Sequence, residues 1–363
     1  MIKVLQVTGA LNMGGAETML MNVYREINRD KIQFDFIVSG KEIGFYESEA
    51  INLGASIYHI RKRSESFIGN LKDFYKIIKS NNYKVVHFHT QNAFFTTTQI
   101  IVARFAGGKR IIVHSHNTSD WRKGIARKMH FLCRPLLSAL TDKKLSCGKA
   151  AAEWLYGSSR ETKIIPLPVV CKKYLYSDEK YDILRKKYGY TDSIIYTHIG
   201  RFLDVKNHDF LIDVFYKIHS VEPKSVLFLI GNGPLRNDIE KKIKELELSD
   251  SVVLWGNISD VNEKLIMSDA FLFPSKYEGF PTVVLEAQAA GVSCFISDTI
   301  TKDIAITELV HYLPLDEGVD LWVETILSRK SRNERERKMA NRMIAEKYDV
   351  MQVAECFEKI YLA

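Results

Sequence analysis

The sequence predicts an α/β protein of two Rossmann-like domains, each a parallel sheet with helices wound on both faces. Short apolar runs that fit buried strands alternate with helix-length segments along the whole chain, which is the pattern of a parallel sheet. At 363 residues the chain is long for one domain and suggests two, at roughly 150 residues each. The pattern also stops at the extended stretch Ile164-Ile-Pro-Leu-Pro-Val169 and restarts at Ile194. The expected division is residues 1–168, residues 169–345 and a C-terminal helix at 346–363.

Residues 2–7 read as the first buried strand, and residues 9–17 as a turn into a helix that begins near Thr18. Within that turn Gly14 and Gly15 form a tight loop whose amides could face a phosphate, although no G-x-G-x-x-G is present. Strands are expected at 34–39 and 56–60, with a helix at 44–53 between them, and a helix at 66–80 precedes the strand 84–89. After another helix comes the strand 110–116. Both of these strands end in His-x-His. Alternation puts His87 with His89, and His114 with His116, on matching faces at the carboxyl ends of strands, where open parallel sheets bind ligands. A zinc site would need further ligands, and no nearby Cys or Asp supplies them.

Residues 121–140 contain Arg122, Lys123, Arg127, Lys128, His130 and Arg134 with no acid. As a helix, this segment places Lys123, Arg127, His130 and Arg134 on one side and Ile125, Met129, Leu132 and Leu136 on the other, with Pro135 kinking it. Two readings stand: a helix resting on anionic lipid, or an amphipathic helix with its apolar face in the core. Residues 144–147 are expected to be the last strand of the first half, followed by a helix at 150–156.

In the second half, strands are expected at 194–199, 226–230, 252–255, 270–273 and 293–297, the last completing the sheet. The loop at 200–206 carries Arg201 and Lys206 beside a helix that Asn207 is placed to cap, where a diphosphate would need cations. Gly231 and Gly256-Asn257-Ile258 follow two further strands. Residues 333–361 read as helical, interrupted near Tyr348-Asp349.

The stretch Ser-Lys-Tyr-Glu-Gly-Phe-Pro-Thr-Val-Val-Leu-Glu-Ala-Gln-Ala-Ala-Gly, residues 275–291, organises the second half. It reads as a turn into a helix, with Pro281 at the first helical position and the amides of Gly279, Phe280, Thr282 and Val283 gathered at an anion-binding end. Glu278 and Glu286 stand beside that end. Carboxylates repel phosphate, so their presence points to hydroxyl groups on the same ligand, as a sugar nucleotide offers.

Two glutamates flanking seven residues, with Gly-Phe-Pro after the first, closely resemble the signature of retaining glycosyltransferases of family 4. The resemblance implies the GT-B fold: two Rossmann-like domains facing across a cleft, with a C-terminal helix that crosses back to the first. It carries Glu278 to the donor sugar and Glu286 to the ribose, pairs Arg201 and Lys206 with the diphosphate, and makes the loops at Gly231 and at Gly256, Asn257 and Ile258 uracil and ribose contacts. Met13-Gly-Gly-Ala-Glu17 is similar to the family's Gly-Gly turn near donor and acceptor, and His116 matches its cleft histidine. Where the family has Ile-Pro-Asn-Gly, this chain has Ile165, Pro166, Leu167 and Pro168, so no ligand contact is carried over there.

Hydrophobic residues make up 46%, enough for sizeable cores, and five cysteines without C-x-x-C spacing point to reduced thiols. No long apolar stretch or signal peptide pattern is present, which leads us to expect a cytoplasmic protein. Residues 1–170 carry 25 Lys+Arg against 13 Asp+Glu, and the remainder 26 against 31, so the halves are +12 and −5. Such asymmetry suggests an anionic membrane face or substrate for the first half rather than nucleic acid.

The function implied is transfer of a sugar, with retention, from a nucleotide-sugar, in the first place a UDP-sugar, to a glycan or lipid-linked acceptor in surface polysaccharide synthesis. No cofactor and no metal is expected, since Arg201, Lys206 and the helix amides supply the positive charge, and no D-x-D is found. Glu278 and His116 would position sugar and acceptor. The rivals are a sugar-nucleotide epimerase of the same fold and a non-catalytic partner subunit. Release of free UDP separates the three.

Overall fold

The structure is a computed structural model that describes residues 1–12, 14–90, 92–116, 124–329 and 333–363. It divides into two compact units, residues 1–168 with 350–363, and residues 169–349. The return to the first unit falls at Asp349–Val350 instead of the 345–346 junction expected from sequence.

The first unit runs β1 (Ile2–Val7), α1 (Gly15–Glu26), β2 (Ile32–Ser39), α2 (Glu47–Asn52), β3 (Ile57–Ile60), α3 (Phe67–Asn81), β4 (Val85–Thr90), α4 (Ala93–Ala106), β5 (Arg110–Ser115), α5 (Ile125–Leu140), β6 (Lys143–Ser146), α6 (Lys149–Tyr156) and β7 (Lys163–Ile164). All strands are parallel, in the order β3-β2-β1-β4-β5-β6-β7. Helices cover both faces, so β2 is buried from Ile32 to Val38. Its one charge, Asp35, is satisfied there by Tyr83 Oη at 2.6 Å and the Ser56 amide at 2.6 Å. β6 is not the last strand as expected. The exposed pair Lys163–Ile164 adds an edge strand too short and too polar to show a period.

The second unit runs α7 (Asp178–Tyr188), β8 (Ile194–Ile199), α8 (His208–Val221), β9 (Ser225–Ile230), α9 (Arg236–Glu245), β10 (Val252–Gly256), α10 (Val261–Ile266), β11 (Ala270–Phe273), α11 (Thr282–Ala289), β12 (Ser293–Ser297), β13 (Val310–Leu313), α12 (Gly318–Arg329) and α13 (Glu334–Tyr348). Its parallel order is β10-β9-β8-β11-β12-β13. β12 does not complete this sheet either, because the half-buried β13 pairs with its outer edge.

After α13 the chain enters α14 (Val350–Leu362), which belongs to the first unit. Val353, Ala354, Phe357, Ile360 and Tyr361 form one stripe at helical spacing and are buried with Leu20 and Tyr24 of α1. Burial of Val353, Phe357 and Ile360 contributes about 1.5–3 kcal/mol each. Glu358 Oε1 accepts from the Asn28 amide at 2.7 Å, and Arg110 Nη1 donates to the Tyr361 carbonyl at 3.1 Å.

Two expected starts are displaced. α1 begins at Gly15 rather than near Thr18, and Pro281 occupies the cap position, in extended conformation, one residue before α11. Asn207 precedes α8 in the left-handed region, at φ 58°, and its side chain makes no cap hydrogen bond.

Candidate active site

In the second unit, strand order reverses between β8 and β11, which places the site of an open parallel sheet at their carboxyl ends. The loop after β8 turns through a 3₁₀ segment, Asp204–Lys206, and is tied to the loop after β11 by the Lys276 amide donating to Val205 O at 2.8 Å. This brings Lys206 Nζ to 2.5 Å from Glu278 Oε1, with both side chains mostly buried. The same ammonium lies 4.8 Å from the Phe273 ring centroid. Arg201, on the same loop, is exposed, with no side-chain partner among the described residues.

Beyond Glu278, the amides of Gly279, Phe280, Thr282 and Val283 donate to no group among the described residues. A Cβ on Gly279 would meet nothing within 4 Å. These free donors at the start of α11 make an anion-binding end.

Glu286 lies one turn further along α11. Burial pushes its carboxyl up from 4.5 to about 7, with a hydrogen bond from Tyr174 and the charge of Lys173 opposing the shift. Tyr174 is buried, and burial with the neighbouring carboxylate holds its own proton more firmly.

The loop after β9 is packed against the loop after β8. Gly231 has φ 135°, and a Cβ there would lie 2.1 Å from Gly200 O, so only glycine fits. Its amide donates to Gly256 O at 2.8 Å, which links the loops after β9 and β10. Asn257 beyond it is exposed and Ile258 half-buried.

In the first unit, sheet order reverses between β1 and β4. The turn after β1 holds Gly14, where a Cβ would lie 2.3 Å from Glu17 Oε2, while one on Gly15 would meet nothing within 4 Å. Thr8 Oγ1 donates to Glu17 Oε1 at 3.2 Å, and burial raises the Glu17 carboxyl. A carboxyl group beside this glycine loop favours a ligand hydroxyl over a phosphate there.

On β4 and β5, His87, His89, His114 and His116 form one stack, with adjacent ring centroids 4.1–5.8 Å apart, under Phe357 and Tyr361 of α14. Burial drives His116 down to about 3, and burial with neighbouring rings holds the other three well below the usual imidazole range, so all four are neutral. Ring nitrogens of His87, His89 and His114 lie within 4.8 Å of one another, a set that could take a metal ion. Both nitrogens of His89 are already engaged, however, with His116 Nε2 and Gln6 Oε1, each at 2.9 Å.

Residues 13–171 match the family model described as Glycosyltransferase Family 4, and residues 180–346 that of Glycosyl transferases group 1. The chain is 32% identical over 374 residues to the putative glycosyltransferase EpsF of Bacillus subtilis (strain 168), covering 99% of this chain and 96% of the relative. The chain is a glycosyltransferase of family 4. It is also 26% identical to the capsular polysaccharide biosynthesis glycosyltransferase CapH of Staphylococcus aureus, over 91% of this chain and 92% of that one. Its fold is that of Anabaena Alr3699/HepE, solved in complex with UDP, at TM-score 0.80, 16% identity and 99% coverage of both chains.

In this glycosyltransferase Arg201, Lys206, Glu278, Gly279, Phe280, Pro281 and Thr282 gather at the β8/β11 reversal, with Gly231, Gly256, Asn257 and Ile258 on the adjoining loops of the same unit. Gly14, Gly15 and His116 lie in the other unit. Sequence reasoning missed Tyr174, Gln6 and Tyr361, and passed over Glu17 within its own motif. Gln6 alone carried a signal, as a polar residue inside an apolar strand.

Proposed function

We propose that this glycosyltransferase transfers a sugar from a UDP-sugar to an acceptor hydroxyl with retention at the anomeric carbon and without a metal. The observation that carries this is the Lys206–Glu278 pair at the β8/β11 reversal, beside the free amides that open α11. A diphosphate entering there exchanges one partner for another. Lys206 turns from the carboxylate to phosphate oxygen, and Glu278 is released to accept hydrogen bonds from the sugar. Arg201, Lys206 and the amides then stabilise the charge that grows on the departing diphosphate. Glu286 takes the ribose hydroxyls, and His116 is a positioning contact for a substrate hydroxyl. The UDP held by HepE supports the choice of nucleotide, and CapH supports the setting in surface polysaccharide synthesis. Incubation with a panel of UDP-sugars and a lipid-diphosphate glycan tests the proposal. UDP release dependent on acceptor, an axial product from an axial donor and full activity in EDTA are expected. Inversion, or activity abolished by EDTA and restored by Mg²⁺ or Mn²⁺, would refute the mechanism.

We further propose that the enzyme works at the cytoplasmic face of an anionic membrane, docking through α5. The polar face expected of this helix is partly internal. His130 is buried, stacked 4.6 Å from Trp154, and Arg134 donates to the Glu153 carbonyl. Lys123 and Arg122 lie outside the described residues. The apolar side faces outward instead, with Ile125 80% and Leu132 73% exposed, Leu136 also exposed, and Arg127 and Lys128 beside them. This disposition supports lipid contact, each cation near anionic lipid being worth about 1 kcal/mol. Among the described residues no helix is long and apolar enough to cross a membrane. Co-sedimentation with anionic but not neutral vesicles is expected, lost in Arg127→Glu/Lys128→Glu/Leu132→Ser. Equal sedimentation of wild type and variant would remove α5 from the interface.

A further inference from the structure

Three imidazoles, His87 buried and His89 and His116 half-buried, form a continuous hydrogen-bonded chain with one glutamine and one tyrosine of the first unit. It runs from His116 Nε2 to His89 Nδ1 at 2.9 Å, from His89 Nε2 to Gln6 Oε1 at 2.9 Å, from Gln6 Nε2 to Tyr361 Oη at 3.2 Å, and from Tyr361 Oη to His87 Nδ1 at 2.7 Å. The direction of each bond follows from what its atoms can do. Gln6 Oε1 can only accept, so the proton of His89 is on Nε2. A neutral imidazole has one proton, so His89 Nδ1 accepts, and His116 Nε2 is the donor to it. His116 Nδ1 is then left with a lone pair, and this atom is buried without a partner among the described residues. At the other end Gln6 Nε2 donates to Tyr361 Oη, whose own proton goes to His87 Nδ1.

An acceptor nitrogen left without a donor in a buried setting is costly, and a hydroxyl group is the simplest ligand that satisfies it. We infer that this chain holds His116 in the Nε2–H tautomer so that Nδ1 receives the hydrogen bond of a substrate hydroxyl, with His89 and Gln6 as positioning residues and Tyr361 anchoring them to α14. The inference rests on the reading of His116 as a substrate contact. It adds which nitrogen does the work and why residues of β1 and the C-terminal helix matter to it. Neutral rings at His116, His89 and His87 are what the chain requires, since a charged ring would have no lone pair to offer.

The test is long-range nitrogen–proton correlation NMR on the full chain labelled with ¹⁵N-histidine, His116 being assigned by the signals lost in His116→Gln. Protonated Nε2 and unprotonated Nδ1 are expected for both His116 and His89. Gln6→Leu removes the acceptor that orders the chain, so His116 should become a mixture of tautomers and kcat should fall about 10- to 100-fold. UDP affinity should be unchanged. Gln6→Glu keeps an acceptor toward His89 and should retain the wild-type tautomer and most of kcat. A proton on His116 Nδ1 in the wild type would overturn the inference without any variant, because it would mean that the whole chain runs in reverse. So would a tautomer indifferent to Gln6→Leu, or uptake of one equivalent of Zn²⁺ that displaces the His89 pattern. If no UDP-sugar is turned over, the tautomer remains readable, and the failure belongs to the proposed function alone.

Discussion

Glu286→Gln tests the donor half of the site through stability, with no substrate needed. The folded protein holds the Glu286 carboxyl at about 7 against 4.5 when unburied, so between those values the folded state binds more protons than the unfolded state. Stability from this group is therefore complete below the unfolded value and is lost as pH rises through the folded one. Integrating the shift gives a loss of about 2.5 kcal/mol between pH ~5 and pH ~8. Gln keeps a partner for Tyr174 and cannot ionise, so the variant should match wild type within about 1 kcal/mol near pH ~5 and exceed it by about 2–3 kcal/mol near pH ~8. In thermal melts this corresponds to about 5–10 °C for a unit of this size. Melting curves of both proteins across this range should diverge upward with pH. Parallel curves would show that Glu286 is ionised in the folded protein and would refute the argument from burial.

Removing a phosphate partner should weaken UDP binding, so Lys206→Ala and Arg201→Ala are each expected to cost about 1.5–3 kcal/mol by calorimetry. Unchanged affinity in both would take this loop out of the site. Glu278→Ala should leave UDP affinity intact or raised, since Lys206 loses its competing partner, while transfer falls; reduced UDP affinity would contradict the exchange of partners. Glu286→Ala should do the opposite, weakening nucleotide binding through the ribose, and a titration with UDP decides between them. Gly231→Ala forces a Cβ onto Gly200 O at a backbone angle that other residues rarely adopt, and should destabilise the second unit by more than about 2 kcal/mol in urea unfolding. A variant as stable as wild type would mean that the two loops separate freely.

By itself the sequence determined whatever depends on neighbours along the chain. Strands β8, β11 and β12 were placed to the residue, because an apolar run bounded by glycine or a charged turn is a local signal. The spacing of Glu278 and Glu286 around a turn and a helix start was likewise readable, as was the change of charge between the two halves. Tertiary structure decided the rest. Edge strands β7 and β13 have too few buried residues to show a period, and only pairing with a neighbour makes them strands. The α5 pattern announced two faces but could not say which one packs inward, and packing against α4 and α6 buried His130 while Leu132 was left outside. Tyr174 reaches Glu286, and Gln6 meets Tyr361 across 355 positions, by contacts that no local period encodes. Propensity and alternation act over a few residues, whereas the partner of a buried polar group is chosen by which distant elements close over it.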